Sequence, residues 1–233
     1  MAADESDAAT FSRQLASLKR QGCNVLVVND RQASDVICER LLGGHDLERR
    51  HLFLPTTTPV DEVLDRHRPR RTDPGALGVL DATGANLARS ITVDSSTGPE
   101  LDGAAGDEWY ESVDDLSDLE ALFESFRTHL ERVEPAAPAP GEVRFCLDSI
   151  DPFFDAVDEE ELFRFVHLVT SAIRERRGMG HFHATATIGN PVLSTIEPLF
   201  DATIYVDVGP DGEPKQRWRL HEHDLLTDWF ALD

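Results

Sequence analysis

The chain has 233 residues, of which 40% are hydrophobic, so its length and composition suit one α/β domain with a sizeable core. Its 44 acidic and 22 basic residues give a net charge of −22, which argues against a nucleic-acid partner, because sequence-independent binding needs a positive surface. No apolar run approaches the roughly 20 residues of a membrane span, and the acidic N-terminus lacks a signal-peptide pattern. We therefore expect a cytoplasmic protein with no membrane partner.

The composition of the charged residues indicates an adaptation to salt. Lys19 and Lys215 are the two lysines, and the other basic residues are arginines. An acidic surface with so little lysine is what we expect of a protein kept soluble in molar salt, where the Debye length falls to roughly 3 Å. We therefore interpret the acidity as a halophile's adaptation and not as a sign of a basic partner.

The first half of the chain alternates predicted strands and helices. Periodicity and capping residues predict a disordered segment over 1–9, a helix over 10–21, a strand over 25–28, a helix from Ser34 to Gly43, a strand over 52–54, a helix over 61–68 and a strand over 77–80. A fourth strand over 89–96 and a surface loop over 97–112 follow.

The second half continues the alternation. It predicts a helix over 114–134, a proline-rich connector over 135–141, a strand over 143–147, a helix over 158–177, a strand over 180–189, a short helix over 190–200 and a terminal hairpin with strands over 204–208 and 216–220. The expected fold is a single domain over 10–233. It is a three-layer α/β/α sandwich on a mostly parallel sheet, closed by the C-terminal antiparallel hairpin.

The first predicted strand ends where many α/β proteins bind a phosphate. A phosphate loop needs glycines, so that backbone N–H groups can face the ligand, and a lysine beside the β- and γ-phosphates. The turn here reads Asn29-Asp30-Arg31-Gln32-Ala33-Ser34, with neither. Arg31 precedes the helix instead of lying in its first turn, and Ser34 is best explained as a helix cap.

A second segment carries a family resemblance. "VRFCLDSIDPFF" is an apolar strand that ends in Asp148-Ser149, and "HFHATAT" and "LFDATIYVD" supply later strands. This order resembles that of the RecA-like and KaiC-like ATPases, and the chain resembles a set of uncharacterised haloarchaeal proteins with such domains. The resemblance implies a RecA-like fold in which Asp148 holds magnesium through water and Ser149 lies beside it.

The altered turn decides how this resemblance is applied. Without a phosphate cradle we expect no ATP hydrolysis and no cofactor, and Asp148 is then better explained as a loop cap. The leading hypothesis is a non-catalytic regulatory or signalling module that acts through protein contacts, with the partner and any homo-oligomer left open. The alternative is a divergent ATP-binding protein or ATPase that uses Arg31, Ser34, Asp148 and Ser149.

A second alternative is a metal-dependent enzyme. His181 and His183 alternate along a predicted strand and so share one face, where a carboxylate would complete a metal site. Hydrogen-bonded imidazoles at a polar strand end are the more conservative interpretation. Asp30, Asp81, Asp148 and Asp151 form a further candidate acidic cluster at the carboxyl edge of the sheet.

Cysteines and aromatic pairs complete the candidates. Cys23, Cys38 and Cys146 lack zinc-type spacing, and we expect buried free thiols. "HEHD" at 221–224 is expected to be a solvated loop. Trp109-Tyr110 and Trp229-Phe230 are expected to cover core edges, and the alternative is that each pair marks a partner site.

Overall fold

A computed structural model describes residues 2–29, 34–43, 48–66, 74–84, 109–185, 190–208 and 212–232. Their helices are α1 (Ala2–Gln21), α2 (Ser34–Leu42), α3 (Val60–Arg66), α4 (Leu119–Val133), α5 (Phe153–Ala156), α6 (Glu159–Glu175) and α7 (Pro191–Ile196), with short 3-10 helices at Pro74–Ala76 and Glu197–Leu199. Their strands are β1 (Cys23–Asn29), β2 (Arg50–Leu54), β3 (Leu77–Asp81), β4 (Tyr110–Ser112), β5 (Val143–Leu147), β6 (Met179–Ala184), β7 (Ala202–Val208), β8 (Pro214–Leu220), β9 (Leu225–Leu226) and β10 (Phe230–Ala231).

All of these strands join one sheet, in the order β10-β8-β7-β1-β6-β5-β2-β3-β4, with β9 paired to β8. The strands from β7 to β4 are parallel, whereas β8, β9 and β10 add antiparallel pairs at one edge. The predicted α/β class, with a mostly parallel sheet and a C-terminal antiparallel hairpin, is confirmed. The structure inserts β6 between β1 and β5, which brings residues far apart in the chain side by side.

Helices cover both faces of the sheet because its central strands are apolar on both sides. On one face Leu26 and Phe145 join the main core with the inward residues of α4 and α6. On the other face Val25 packs with Ile37 of α2, and Cys38 of the same helix packs with Phe53 of β2. Among the described residues, no helix is both long enough and apolar enough to cross a membrane.

Side-chain caps define the helix starts on the first of these faces. The Asp158 carboxylate accepts the backbone N–H of Glu161, whose side chain accepts the N–H of Asp158 in return, so α6 begins with a capping box. Asp118 caps α4 and Asn190 caps α7, where Pro191 occupies the first turn. Asp158, the predicted start of α6, is therefore its capping residue, whereas α4 begins at Leu119, five residues after its predicted start.

Two segments differ from the prediction, and a third cannot be compared with it. Helix α1 begins at Ala2, within the segment 1–9 that the sequence assigns to a disordered terminus. The predicted loop over 97–112 ends in β4, which pairs with β3, and Trp109 beside it is buried in the core as expected. The strand predicted over 89–96 lies outside the described residues.

The other aromatic pair does not cover the core as predicted. Trp229 and Phe230 are each 41% exposed, at the antiparallel edge of the sheet. The Arg217 guanidinium lies 5.0 Å from the centroid of the Trp229 ring, which is a cation–π arrangement.

Gly22 makes a close backbone approach that a side chain would prevent. Its φ is +86°, and a Cβ there would lie 2.7 Å from backbone atoms of Arg177. We predict that Gly22→Ala lowers the free energy of unfolding by more than about 2 kcal/mol, since the left-handed conformation and the overlap both oppose it.

Gly212→Ala is the matched control for this measurement by chemical denaturation. Gly212 has a φ of +80°, yet no described heavy atom lies within 4 Å of a Cβ built there. It should lose only about 1 kcal/mol. Equal losses in the two variants would contradict the close approach.

Candidate functional site

Asp148 follows β5 and closes the loop that follows β2. Its carboxylate accepts the backbone N–H groups of Thr56, Thr57 and Thr58 at 2.6, 3.1 and 2.7 Å. The hydroxyls of Thr56 and Thr57 each lie 2.9 Å from it as well. Successive N–H groups that converge on an anion form a nest, and here the protein's own carboxylate fills it. The capping role favoured by the sequence is therefore the one that these contacts give Asp148.

The neighbouring candidates are also engaged in the loops at this edge. The Ser149 hydroxyl accepts the N–H of Asp151 at 3.3 Å, and Asp151 in turn accepts the backbone N–H and hydroxyl of Thr185. Asp81 accepts the Thr83 hydroxyl at 2.7 Å and the Tyr110 hydroxyl at 2.8 Å. These carboxylates connect the strand ends to the loops that follow them. Among the described residues, they form no group of potential metal ligands with one another.

The remaining nucleotide-site candidates lie at the start of α2. Ser34 is the first residue of that helix, and its role as a cap stays a prediction. Asp30 and Arg31 lie outside the described residues, so the expected acidic cluster and the substitute for the phosphate-loop lysine stay predictions too.

A different group of side chains meets beneath α2, on the face of the sheet that also carries Phe53. Cys146 of β5 pairs in register with His181 of β6, so their side chains lie next to each other on one face. His183 lies on the same face, two residues along β6. Cys38 reaches the group from α2. These four residues, Cys38, Cys146, His181 and His183, are called the Cys2His2 cluster below.

The ligand atoms of the Cys2His2 cluster have the spacing of a single tetrahedral metal site. All four lie within 4.8 Å of one another. The Cys38 Sγ is 3.6 Å from the Cys146 Sγ and 3.2 Å from the His181 Nε2. Zinc bound at about 2.3 Å to sulfur and about 2.0–2.1 Å to nitrogen would place two sulfurs about 3.8 Å apart, and a sulfur and a nitrogen about 3.6 Å apart.

Hydrogen bonds and the charge of His181 favour one thiolate in the Cys2His2 cluster. The hydrogen bond from Cys146, together with the charge and hydrogen bonds of His181 and a hydrogen bond of His183, holds the pKa of Cys38 well below its usual value, although burial opposes this. The same Cys38 hydrogen bond, followed by burial and the Cys38 charge, raises the pKa of Cys146. A thiolate is the form that binds a metal, so Cys38 is prepared for that role.

Solvent does not reach this cluster. Cys38, Cys146, His181 and His183 are 7, 4, 1 and 2% exposed. The expectation of buried free thiols is confirmed for all three cysteines, but two of them lie against the histidines. His221 and His223 lie apart from the Cys2His2 cluster, in the predicted loop after β8. His221 is 3.6 Å from Glu197, and His223 is 3.8 Å from Glu222.

The sequence points to only half of this cluster. It singles out His181 and His183 by their alternation and expects a carboxylate to complete the site. Cys38 and Cys146 are 108 positions apart and match no zinc-finger spacing, so only the strand order unites them. The signal in the sequence that could have revealed the cluster is "FCL" in β5 together with "HFH" in β6. Each of these strands places residues that can bind a metal at inward positions, which apolar side chains otherwise fill.

Comparison with models of known protein families assigns the chain to one of them. A model for a family of unknown function, DUF7504, matches residues 22–206, which is most of the chain. The chain belongs to DUF7504. The matched region contains the whole Cys2His2 cluster and Asp148, whereas α1 and the strands β8 to β10 lie outside it. A search of the curated proteins finds no match.

The nest around Asp148 leads to a stability prediction. Asp148→Asn should lower the free energy of unfolding by about 2–3 kcal/mol, because an amide cannot accept all the N–H groups that the carboxylate accepts. Asp155→Asn is the control, since Asp155 is an exposed carboxylate in α5. Urea denaturation at high salt measures both variants, and an Asp148→Asn variant as stable as the control would contradict the capping role.

Proposed function

We propose that the Cys2His2 cluster is a structural zinc centre in a non-catalytic regulatory domain. The observation that carries this proposal is the meeting of two thiols and two imidazoles within 4.8 Å of one another in a buried site. Sulfur and nitrogen ligands in a tetrahedral arrangement favour zinc over the oxygen-seeking ions magnesium and calcium.

The distances argue against two other uses of the same residues. A disulfide needs sulfurs about 2.05 Å apart, whereas those of Cys38 and Cys146 are 3.6 Å apart. A two-iron cluster with cysteines on one iron and histidines on the other would separate sulfur from nitrogen by bridging sulfides. Here the Cys38 Sγ and the His181 Nε2 are only 3.2 Å apart, which suits one ion.

The number of protein ligands favours a structural metal centre over the site of a metal-dependent enzyme. A catalytic zinc keeps one position for water or substrate, whereas a structural zinc has four protein ligands. The Cys2His2 cluster supplies four and lies beneath α2, away from solvent. Metal there would join α2 to β5 and β6, so its effect would be on stability and on the position of α2.

The wider role that we propose is regulatory and exercised through protein contacts, within a RecA/KaiC-like architecture. Its support is the parallel sheet, with Asp148 at the carboxyl end of a central strand but held by Thr56, Thr57 and Thr58. To hold magnesium through water, Asp148 would have to give up these bonds. The exposed Trp229 and Phe230 offer an aromatic surface of the kind that protein partners use.

Zinc content tests the proposed centre. Untagged protein refolded with equimolar Zn²⁺ should retain one zinc per chain after gel filtration with a chelator, as measured by elemental analysis. Metal at about 1,000 times its dissociation constant adds about 4 kcal/mol to stability, which corresponds to a melting temperature about 10 °C higher for a chain of this size.

Cysteine variants locate the metal. Cys38→Ser and Cys146→Ser should lose the zinc and the gain in melting temperature. Cys23→Ser should keep both, because Cys23 is an equally buried free thiol outside the cluster. Wild-type protein that retains no zinc after this refolding, or a melting temperature that zinc leaves unchanged, would contradict the proposal.

Calorimetry separates the non-catalytic role from the ATP-binding alternative. Titration of Mg-ATP into the zinc-loaded protein in about 1 M KCl, where surface charges are screened, should give no binding heat. Phosphate release should equal that of buffer alone. Tight binding that Arg31→Ala weakens, or hydrolysis that Asp148→Asn abolishes, would overturn the non-catalytic role and leave the zinc centre untouched.

A further inference from the structure

A cavity of about 420 Å³ lies between α1 and α2, on the face of the sheet that also holds the Cys2His2 cluster. Its apolar wall includes Phe11 of α1, Ile37 of α2 and Trp218 of β8. The rings of Phe11 and Trp218 meet edge to face, with centroids 5.9 Å apart. Its volume lies within the roughly 300–1,000 Å³ of small-molecule sites.

The same cavity is lined by four cationic side chains, Lys19, Arg40, Arg49 and Arg144, and its lining includes no carboxylate from the part of the chain that the structure describes. None of the four forms an ion pair with an acid among the described residues. In a chain of 44 acidic and 22 basic residues, such a group is unexpected unless an anion joins it.

Two of these guanidinium groups lie close together. A Cβ built on Gly43 would lie 3.2 Å from the Arg49 Nε and 3.7 Å from the Arg144 Nη2. Both groups therefore adjoin one point at the end of α2. Each is held by a main-chain oxygen, Arg49 by that of Gly141 at 2.9 Å and Arg144 by that of Leu41 at 3.0 Å. Their positions are thus set before any ligand arrives.

Arg144 carries an unsatisfied donor into this region. It is 7% exposed, and its Nε–H finds no hydrogen-bond partner among the described residues, nor does that of Arg49. A buried guanidinium beside another cation is costly unless an anion neutralises it.

We propose that this cavity binds a small amphipathic organic anion, with a carboxylate or phosphate head against Arg49 and Arg144 and an apolar body against Phe11 and Trp218. The planar guanidinium suits both heads, because its paired N–H donors match two oxygens of a carboxylate or a phosphate. The exposed cations Lys19 and Arg40 lie at the cavity as additional charge for the head.

This site extends beyond the zinc centre and is independent of it. Phe11, Lys19, Trp218 and Phe230 come from α1, β8 and β10, outside the region that the DUF7504 model matches. The cavity thus combines the matched domain with its terminal elements. A ligand there would contact α1, α2 and the antiparallel edge together. Its binding would therefore affect the surface around Phe230.

Matched eight-carbon probes test the site by calorimetry with zinc-loaded protein in about 1 M KCl, where non-specific charge attraction is screened. Octanoate and octyl phosphate carry the two heads, and octyltrimethylammonium carries the opposite charge. We expect at least one anion to bind with a stoichiometry of one, and the tighter of the two identifies the head. The cationic probe should not bind, although the net charge of −22 would favour it.

Variants decide whether the binding occurs at this cavity. Arg144→Met should weaken the bound anion by about tenfold or more, because it removes a charge-assisted hydrogen bond. Arg40→Gln, at an exposed position that leaves the core intact, should weaken it about threefold. Arg127→Gln, on α4 across the sheet, should leave the affinity unchanged.

The opposite results would overturn the proposal. The first is that neither anion binds to the wild-type protein, and the second is that the cationic probe binds as tightly as the anions. The third is that Arg40→Gln and Arg127→Gln change the affinity for the anion by the same factor. The Arg40→Gln variant keeps the test decisive if Arg144→Met fails to fold. Since zinc content is measured on the same samples, failure of the anion site is distinguished from failure of the metal centre.

Discussion

The position of β6 between β1 and β5 is the constraint on which the rest of the structure depends. Parallel pairing on both sides fixes the register, so that Val25, His181 and Cys146 lie in one row across the sheet. Because side chains alternate between faces, the same register sends Phe182 into the opposite core. A slip of one residue would bury the imidazoles among the phenylalanines and separate them from the cysteines.

The same physical principle explains the surroundings of Asp148 and of the Cys2His2 cluster. A polar group that is removed from water needs partners, and at Asp148 and in the Cys2His2 cluster these partners come from elements distant in the chain. Asp148 accepts the backbone N–H groups of the threonines after β2, and it would have to give up these bonds to hold magnesium through water. Cys38 lies against Cys146 and His181, in an arrangement that a single zinc ion would complete.

Local patterns in the sequence are enough to predict most of the elements but not how they associate. The apolar segment 143–147 and the helix capped at Asp158 form as their composition indicates, because propensity and capping act over a few residues. The meeting of Cys38 with Cys146 depends on strand order, which no local pattern encodes. The short β4 escapes prediction for the same reason, since pairing with β3 defines it.

The zinc centre is tested most directly by X-ray absorption at the zinc edge, on untagged protein refolded with one equivalent of the metal. We expect a first shell of two sulfurs at about 2.3 Å and two nitrogens at about 2.0–2.1 Å, with no oxygen ligand. A shell of oxygen and nitrogen atoms, or one with fewer than two sulfurs, would mean that zinc binds elsewhere and that the Cys2His2 cluster is only a hydrogen-bonded part of the core.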